Sequence, residues 1–435
     1  MTTPDASPRK RRWIHLATVD IAPLRRHRDF RLLYIGRLVS FFGSMITVVA
    51  FPYQVYLQTH SVLLVGLLGV LEFVAILAFA MLGGALADAA DRRWLVLLSE
   101  AGLMGCSLIL AGNAMLPHPQ LWILFAIAIV WGVLDAVQRP SLSAMLPRLV
   151  DRDELAAASA LESLRSTSGQ ILGPALGGVL LAAVGLPLTY MVDVATFVVG
   201  LTCLWLMRAL PPPVDAERPS LRRVVEGLRY ARSRPELIGT YAVDMIAMFF
   251  GMPMALFPAI AQGLGGPGVL GLLYAAPAVG SFLFSVTSGW TIRIRRHGLA
   301  VIVAAVIWGG AIIGFGFASG LVAALAFLAL AGAADMMSGL FRSVIWNQTI
   351  PDSLRGRLAS IEMLSYTSGP ALGNFEAGVV ASLTSIRVSV VSGGILCVVG
   401  CVLCALALPA FRNYDARRYH LAPEPDLGSV KQEKQ

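Results

Sequence analysis

The residues best able to do chemistry in this sequence are charged side chains inside long apolar stretches. The set comprises Arg37, Glu72, Asp135, Asp244, Asp335, Arg342 and Glu376. A carboxyl group in apolar surroundings can take up and release a proton, and an arginine there can bind an anion or pair with a carboxylate. Because a charge is costly to place in hydrocarbon, each of these side chains is a candidate site residue.

The elements that must position these charges are membrane-spanning helices. Of the 435 residues, 57% are apolar and 14% charged, whereas soluble domains have about 45–50% and about 25%. This composition excludes a soluble enzyme and indicates an integral membrane protein. We expect no catalytic residues, no metal site and no cofactor, because the five cysteines lie in apolar runs and no phosphate-binding GxxxxGK[ST] motif occurs. Energy would come from an ion gradient.

Hydropathy divides the chain into twelve segments, each near the ~20 apolar residues that span a ~30 Å hydrocarbon core. The segments are 32–57, 62–87, 95–116, 120–143, 158–184, 187–209, 237–262, 268–292, 298–318, 320–341, 358–386 and 387–410. A membrane barrel would instead show ~10-residue alternating segments. The sequence therefore predicts an all-α membrane protein.

Basic residues indicate the orientation of these segments. With this segmentation, 29 of the 34 lysines and arginines fall in loops and termini on one side. By the positive-inside rule both termini are cytoplasmic, in the inner membrane of the cell. The basic residues are dispersed among loops and not gathered on one soluble face, so we expect no nucleic-acid partner.

An internal repeat predicts two halves. A shift of 200 residues aligns nine identities in the 21-residue window 159–179, including Glu162 with Glu362. Parallel repeats of six helices are a transporter architecture. The predicted domains are a cytoplasmic basic arm (1–31), an N-terminal six-helix bundle (32–209), a cytoplasmic linker with an amphipathic helix (210–236), a C-terminal six-helix bundle (237–410) and a cytoplasmic tail (411–435).

The loop after the second segment carries a first motif, G-A-L-A-D-A-A-D-R-R at 84–93. It resembles the loop 2–3 signature of the major facilitator superfamily, G-x-L-A-D-R-x-G-R-R, with Ala89 and Asp91 departing from it. The resemblance implies a cytoplasmic gate formed by Gly84, Asp88, Arg92 and Arg93. An ordinary charged inner loop is the alternative.

Segment five carries a second motif: Gly169, Gly173, Pro174, Gly177 and Gly178. It resembles the G-x3-G-P-x2-G motif of antiporters and exporters in the same superfamily. Small residues at this spacing also make an ordinary groove for a neighbouring helix. Nearly the whole chain is similar to the enterobactin exporter branch, close to the drug–proton antiporters. Stretches 27–40, 51–67, 139–161 and 350–358 carry this similarity.

Spacing along single helices predicts which charges are paired. Three pairs share a helix face: Asp135 with Arg139, Glu162 with Arg165, and Asp335 with Arg342. Two further acids, Glu100 and Asp193, are expected near the membrane interfaces, within reach of water. Glu72 and Glu376 fall near mid-depth in segments two and eleven. In the superfamily these segments face each other, which implies a shared path with Glu72 as proton carrier.

Together these features predict a major facilitator fold with twelve transmembrane helices in two six-helix repeats. The predicted function is secondary transport: proton-coupled efflux of an amphipathic small molecule, a siderophore or a drug, by alternating access. The expected partners are the lipid bilayer, the small-molecule substrate and protons, and the protein is expected to be a monomer. A non-transporting sensor or scaffold that retains the fold is the alternative from another class, and a channel is a further one.

Overall fold

A computed structural model describes residues 20–209, 229–351 and 354–415, apart from the side chains of residues 85, 87–89, 355–357, 359–361 and 363–364. Most of these residues are helical. The α-helices are α1 (Ala22–Arg26), α2 (Arg28–Thr59), α3 (Val62–Ala89), α4 (Arg92–Met115), α5 (Leu121–Leu149), α6 (Leu155–Trp205), α7 (Pro235–Phe250), α8 (Phe257–Leu264), α9 (Pro267–Thr287), α10 (His297–Phe317), α11 (Leu321–Thr349), α12 (Arg355–Leu383), α13 (Ile386–Ala407) and α14 (Pro409–Arg412). Short 3₁₀ turns occupy Arg152–Glu154, Met254–Leu256 and Ser288–Arg293.

Ten helical stretches in the described part of the chain are long and apolar enough to cross a membrane. The prediction of a helical membrane fold is confirmed. One of the ten, Arg152–Trp205, has 54 residues, and at ~1.5 Å per residue it is long enough for two crossings of a ~30 Å core. Helix α12 has 29 residues but is not among the ten. The count of twelve crossings therefore stays a prediction.

A single glycine interrupts α6 between the two predicted segments. Gly185 has φ 74° and ψ −180°, a conformation that side chains with a Cβ rarely adopt. The change of direction follows from these angles, and Thr189 donates its hydroxyl to the Gly185 carbonyl at 2.7 Å on the far side of the turn. The predicted boundary between segments five and six falls at this residue.

The chain forms two compact units. Unit 1 comprises Met1–Gln54 and Val74–Arg218, and unit 2 comprises Val55–Phe73 and Pro219–Gln435. The end of α2 and the first half of α3 thus group with the C-terminal helices, which the sequence repeat alone does not indicate. The predicted domain boundaries stay predictions. The amphipathic helix expected in the linker falls largely within 210–228, which lies outside the described residues. Most of the arm and most of the tail also lie outside the described residues.

Helices within each unit pack through small residues and interdigitating apolar side chains. In unit 1, a cluster that includes Phe30, Val96, Met145 and Leu204 joins α2, α4, α5 and α6, and these four residues are at most 2% exposed. In unit 2, a Cβ on Gly332 would collide with the backbone of Pro277, so α11 and α9 approach closely there. Lipid is as apolar as these side chains, so dispersion contacts from close packing hold the helices together.

Candidate functional site

The first charge cluster lies in unit 2, around Arg342 of α11. Its Nη1 bonds Asp244 Oδ1 of α7, and its Nη2 lies 3.9 Å from Asp335 Oδ1 on its own helix. Asp244 and Arg342 are almost fully buried. The expected pairing of Arg342 with Asp335 is confirmed, but the closer partner comes from another helix. Glu362 of α12 lies within electrostatic range of both Asp244 and Arg342.

A small cavity opens beside this cluster, between α7, α10 and α11. Asp244, Asp335, Trp308 and Ser338 line it together with apolar side chains. The space holds roughly one water molecule. The indole nitrogen of Trp308 is buried without a hydrogen-bond partner in the described part of the chain. Two acidic residues therefore border one small, mostly apolar space inside unit 2.

An aromatic layer closes one side of the cluster. Trp346 donates its Nε1 hydrogen to Thr240 Oγ1 at 2.9 Å, stacks on Tyr241 with ring centroids 5.6 Å apart, and lies 5.9 Å from the Arg342 guanidinium. A guanidinium over an aromatic ring gains cation–π attraction. The layer therefore lies beside the guanidinium that binds Asp244.

The second charge cluster lies in unit 1, around Glu162 of α6. Arg165 holds this carboxylate with two bonds, Nε to Oε2 at 2.9 Å and Nη2 to Oε1 at 2.7 Å, as the i,i+3 spacing predicts. Arg37 of α2 donates to the same Oε1 at 3.0 Å. The Arg165 guanidinium also lies 4.4 Å from the centroid of the Phe41 ring. Arg37 is therefore an ion-pair partner in this conformation.

The remaining intramembrane pair in unit 1 is local. Arg139 Nε lies 2.6 Å from Asp135 Oδ2 on α5, with the arginine side chain 42% exposed. The predicted i,i+4 pairing is confirmed. At this exposure the pair contributes little to stability.

The structure does not bring Glu72 and Glu376 side by side. Both residues are half-buried and belong to unit 2. The α3–α12 contact is antiparallel, because Gly66 lies against Asn374 and Gly69 against Ala371. That register places Glu72 level with residues 368–369, about eight residues and ~12 Å along the helix from Glu376. The two segments do face each other as expected, but their acids lie at different depths.

The loop motif at 84–93 is described in part. The side chain of Asp88 lies outside the described residues. Arg92 donates to Ala144 O of α5 at 3.1 Å, and Arg93 donates to Leu204 O and Trp205 O at 2.8 and 2.5 Å. A guanidinium at the last carbonyls of α6 complements the negative end of the helix dipole. The arginine pair thus binds helix ends within unit 1.

Two neighbours of the predicted gate residues, Asp91 and Gly83, also have structural roles. Asp91 caps the N-terminus of α4, accepting from Arg93 N at 2.9 Å, so this departure from the signature has a local role. A Cβ on Gly83, the residue before Gly84, would collide with the backbone of Ala136. Close approach of α3 and α5 is therefore located at Gly83.

The glycine motif of segment five forms the surface against which α2 packs. A Cβ on Gly169 would meet the Phe41 ring, one on Gly173 the Met45 side chain, and one on Gly177 the Ile46 backbone. The other two motif residues, Pro174 and Gly178, are buried. The small-residue packing that the alternative interpretation expected is present, and it extends over three turns.

The sequence did not identify Glu100 and Asp193 as site residues. Asp193 is 0% exposed and Glu100 is 5% exposed. The expectation that they reach water is wrong, because α2, α4 and α6 enclose both. Hydropathy gives depth along one helix but not which face is covered by neighbours. A usable signal was present, since polar residues recur at seven-residue spacing on the facing helices, Ser40 and Thr47 on α2 and Glu100 and Ser107 on α4.

One group in the described residues could hold a metal ion. His27, Asp151 and Glu154 place potential ligand atoms within 4.8 Å of one another. Arg26 bonds Glu154 Oε1 at 2.7 Å, and His27 Nε2 bonds Glu154 Oε2 at 2.8 Å. Because a guanidinium already occupies one carboxylate oxygen, the geometry is that of an ion-pair network at the start of α6.

Comparisons with known proteins agree with this architecture. Residues 18–434 match the family model described as transmembrane secretion effector. The enterobactin exporter EntS of Citrobacter koseri is 30% identical over 391 residues, covering 89% of this chain and 94% of the relative. EntS of Escherichia coli (strain K12) is 28% identical, covering 93% and 97%.

Solved structures share the fold at low identity. A POT family transporter in complex with 5-aminolevulinic acid superposes with a TM-score of 0.71 at 11% identity, covering 88% of this chain and 97% of that one. A bacterial homolog of the human lysosomal transporter Spinster, inward-facing and unoccupied, gives 0.66 at 15% identity, covering 92% and 98%. These similarities show a transporter fold of the major facilitator type.

Proposed function

Because the chain belongs to the transmembrane secretion effector family, a family of membrane transporters and not enzymes, we propose that it exports an amphipathic small molecule by alternating access, coupled to inward proton movement. The membrane is the cytoplasmic one, with both termini inside. The protein acts as a monomer, and the proton gradient takes the place of a cofactor.

The observation that carries this proposal is the cavity bordered by Asp244 and Asp335. A charge in the membrane interior is costly and is therefore a functional candidate, and here the almost fully buried Asp244 and the partly exposed Asp335 border the same cavity. Protonation of Asp244 would weaken its hold on Arg342. The freed guanidinium could then bind an anionic or catechol group, which links proton uptake to substrate binding.

The remaining candidates take supporting roles in this proposal. Glu72 carries a proton at mid-depth, and Glu376 acts separately at another level of the same helix pair. Arg37, held by Glu162, is the anion-binding counterpart in unit 1, while Asp135 stays at its local pair. Asp88 holds the cytoplasmic gate.

The substrate class follows from the relatives, two of which are named as enterobactin exporters. We propose a siderophore of the enterobactin type as the substrate and keep an amphipathic drug as the second possibility. The balance of arginines and acids in the two clusters suits a molecule with both polar and apolar parts.

The test uses the full-length protein in vesicles. Vesicles loaded at low internal pH and diluted into a higher pH should accumulate enterobactin, because protons leaving the lumen drive substrate inward. Vesicles with equal pH on both sides and protein-free vesicles should not. Accumulation that ignores the gradient would refute proton coupling. Failure to move either enterobactin or the dye ethidium would favour the scaffold alternative.

A further inference from the structure

Polar and small residues recur every seven positions along the interface between α2, α4 and α6. They are Ser40 and Thr47 on α2, Glu100 and Ser107 on α4, and Asp193 and Gly200 on α6. The contacts group them into two levels: Thr47 and Ser107 bond Asp193, while Ser40 and Glu100 lie against Gly200. The levels are about 10 Å apart along the helices. Two carboxyl groups therefore lie in one buried interface.

At the first level, side chains of α2 and α4 bind Asp193 of α6. Its Oδ2 accepts hydrogen bonds from Thr47 Oγ1 and Ser107 Oγ, both at 2.6 Å. A Cβ on Gly43 would collide with the carboxylate and with Thr196. The carboxyl group is thus fitted into the packing of α2, and among the described residues no basic group faces it. Tyr190, one turn away, gives its hydroxyl hydrogen to Gln54 at 2.8 Å.

At the second level, one of the two carboxyl oxygens of Glu100 has no well-formed hydrogen bond among the described residues. Oε1 accepts from Gln138 Nε2 of α5 at 3.0 Å. Oε2 is buried and has no well-formed hydrogen bond within the described part of the chain, although the Ser40 hydroxyl faces it. The charged groups that face Glu100 are Arg37 from α2 and Asp193 from α6. An unpartnered carboxyl oxygen in this position is accounted for when it carries a proton.

Charge balance among the groups around Glu162 leads to the same conclusion. Arg37 and Arg165 both bind Glu162, so together they leave one positive charge for Glu100 and Asp193. One carboxylate would stay uncompensated, and an isolated ion in a dry interior is far more costly than its neutral form. We propose that Glu100 holds one bound proton, that the charge of Asp193 retains it, and that the two acids together form a proton-binding site of the transport cycle.

The two acids then titrate as a pair. The proton lies on Glu100 Oε2, next to the Ser40 hydroxyl, while the two hydroxyl donors keep Asp193 ionised. The role in transport rests on the proposed function, but the bound proton does not. Glu72 would then be one of at least two proton-carrying positions, located on different units of the protein.

Infrared spectroscopy of the purified, substrate-free protein tests the site. The wild type should show the carbonyl stretch of a protonated buried carboxyl at neutral pH, and Glu100→Gln should remove it. Asp193→Asn removes the charge that retains the proton, so the band should vanish at a pH at least one unit lower. Asp151→Asn, which changes a side chain 77% exposed, is the matched control and should leave the band intact.

A band that survives unchanged in both Glu100→Gln and Asp193→Asn would overturn the proposal. So would a wild type without the band whose melting temperature rises with Na⁺, because the pair would then hold a cation. In vesicles, Asp193→Asn should lose at least tenfold in pH-driven enterobactin accumulation yet retain exchange. If the wild type shows the band but no gradient-driven transport, the proton site stands and the proposed function fails.

Discussion

Arg37 and Asp244 occupy equivalent positions in the two repeats and carry opposite charges. Gly169 and Gly369 are repeat mates, and a Cβ on them would meet Phe41 and Met248 respectively. Arg37 lies four residues before Phe41, and Asp244 lies four residues before Met248. Each binds the opposite charge on another helix, Arg37 with Glu162 and Asp244 with Arg342. The partners are not repeat mates, because Glu162 aligns with Glu362 on α12 whereas Arg342 lies on α11. The two repeats therefore hold their equivalent first helices by ion pairs to different helices.

The pair in unit 2 predicts a measurable coupling. Asp244→Asn removes the closest partner of a buried guanidinium and leaves Asp335 at 3.9 Å, so we expect a loss of about 3 kcal/mol. Arg342→Gln in the same chain should recover part of it, since the buried guanidinium that lost Asp244 is then absent. Thermal unfolding in detergent measures both. Arg139→Gln, at the half-exposed pair with Asp135, is the control and should cost under about 1 kcal/mol. Additive losses in the double variant would contradict the coupling.

The packing of α2 against the glycine motif predicts that two glycine substitutions differ in their effect on stability. Gly173→Ala places a methyl group against Met45 and should destabilise the protein by about 1–3 kcal/mol. Gly105→Ala on α4 meets nothing within 4 Å and should be neutral or slightly stabilising, because alanine favours the helix. Melting temperatures compare the two. Equal losses would show that the motif does not act through this contact.

The gate assignment of Asp88 is tested against its neighbour Asp91. Asp88→Asn keeps the shape but removes the charge, weakening a charge-assisted contact of about 1.5–3 kcal/mol, so transport should fall severely while the protein still reaches the membrane. Asp91→Asn keeps a good N-cap for α4 and should transport normally. Membrane fractions and vesicle uptake measure the two effects. Normal transport by the Asp88 variant would refute the gate.

Glu72 and Glu376 are predicted to act independently, because the α3–α12 register separates them by ~12 Å. Glu72→Gln keeps most hydrogen bonds but cannot carry a proton, so it should lose pH-driven accumulation and retain gradient-free exchange. Glu376→Gln should produce a separate defect, and the double variant should show the product of the two. Unchanged pH-driven accumulation in Glu72→Gln would make Glu72 structural.

The orientation is testable from outside the cell. Cysteines introduced at positions 5 and 430 of a cysteine-free chain should resist an impermeant thiol reagent in intact cells, because the basic loops place both ends inside. A cysteine at Ser61, between α2 and α3, should react. Labelling at either terminus of intact cells would overturn the topology.

The helices and their local charge pairs were determined by the sequence. Apolar stretches near 20 residues require helices in lipid, because backbone groups must be satisfied within the segment. Spacing alone paired Asp135 with Arg139 and Glu162 with Arg165, since residues three or four apart on a helix always lie side by side.

Partners on other helices were decided only by the tertiary structure. Arg37 and Glu162 are 125 residues apart, and the enclosed position of Asp193 depends on which faces of α2 and α4 cover it. Likewise, only the crossing of α3 and α12 sets Glu72 and Glu376 at different depths. Helix geometry determines which residues lie on the same face of one segment. The register and rotation between segments are set by close packing at glycines such as Gly43 and Gly66. In lipid, water does not drive the polar and apolar residues of a helix to opposite faces. The sequence therefore carries no hydrophobic pattern from which this packing could be predicted.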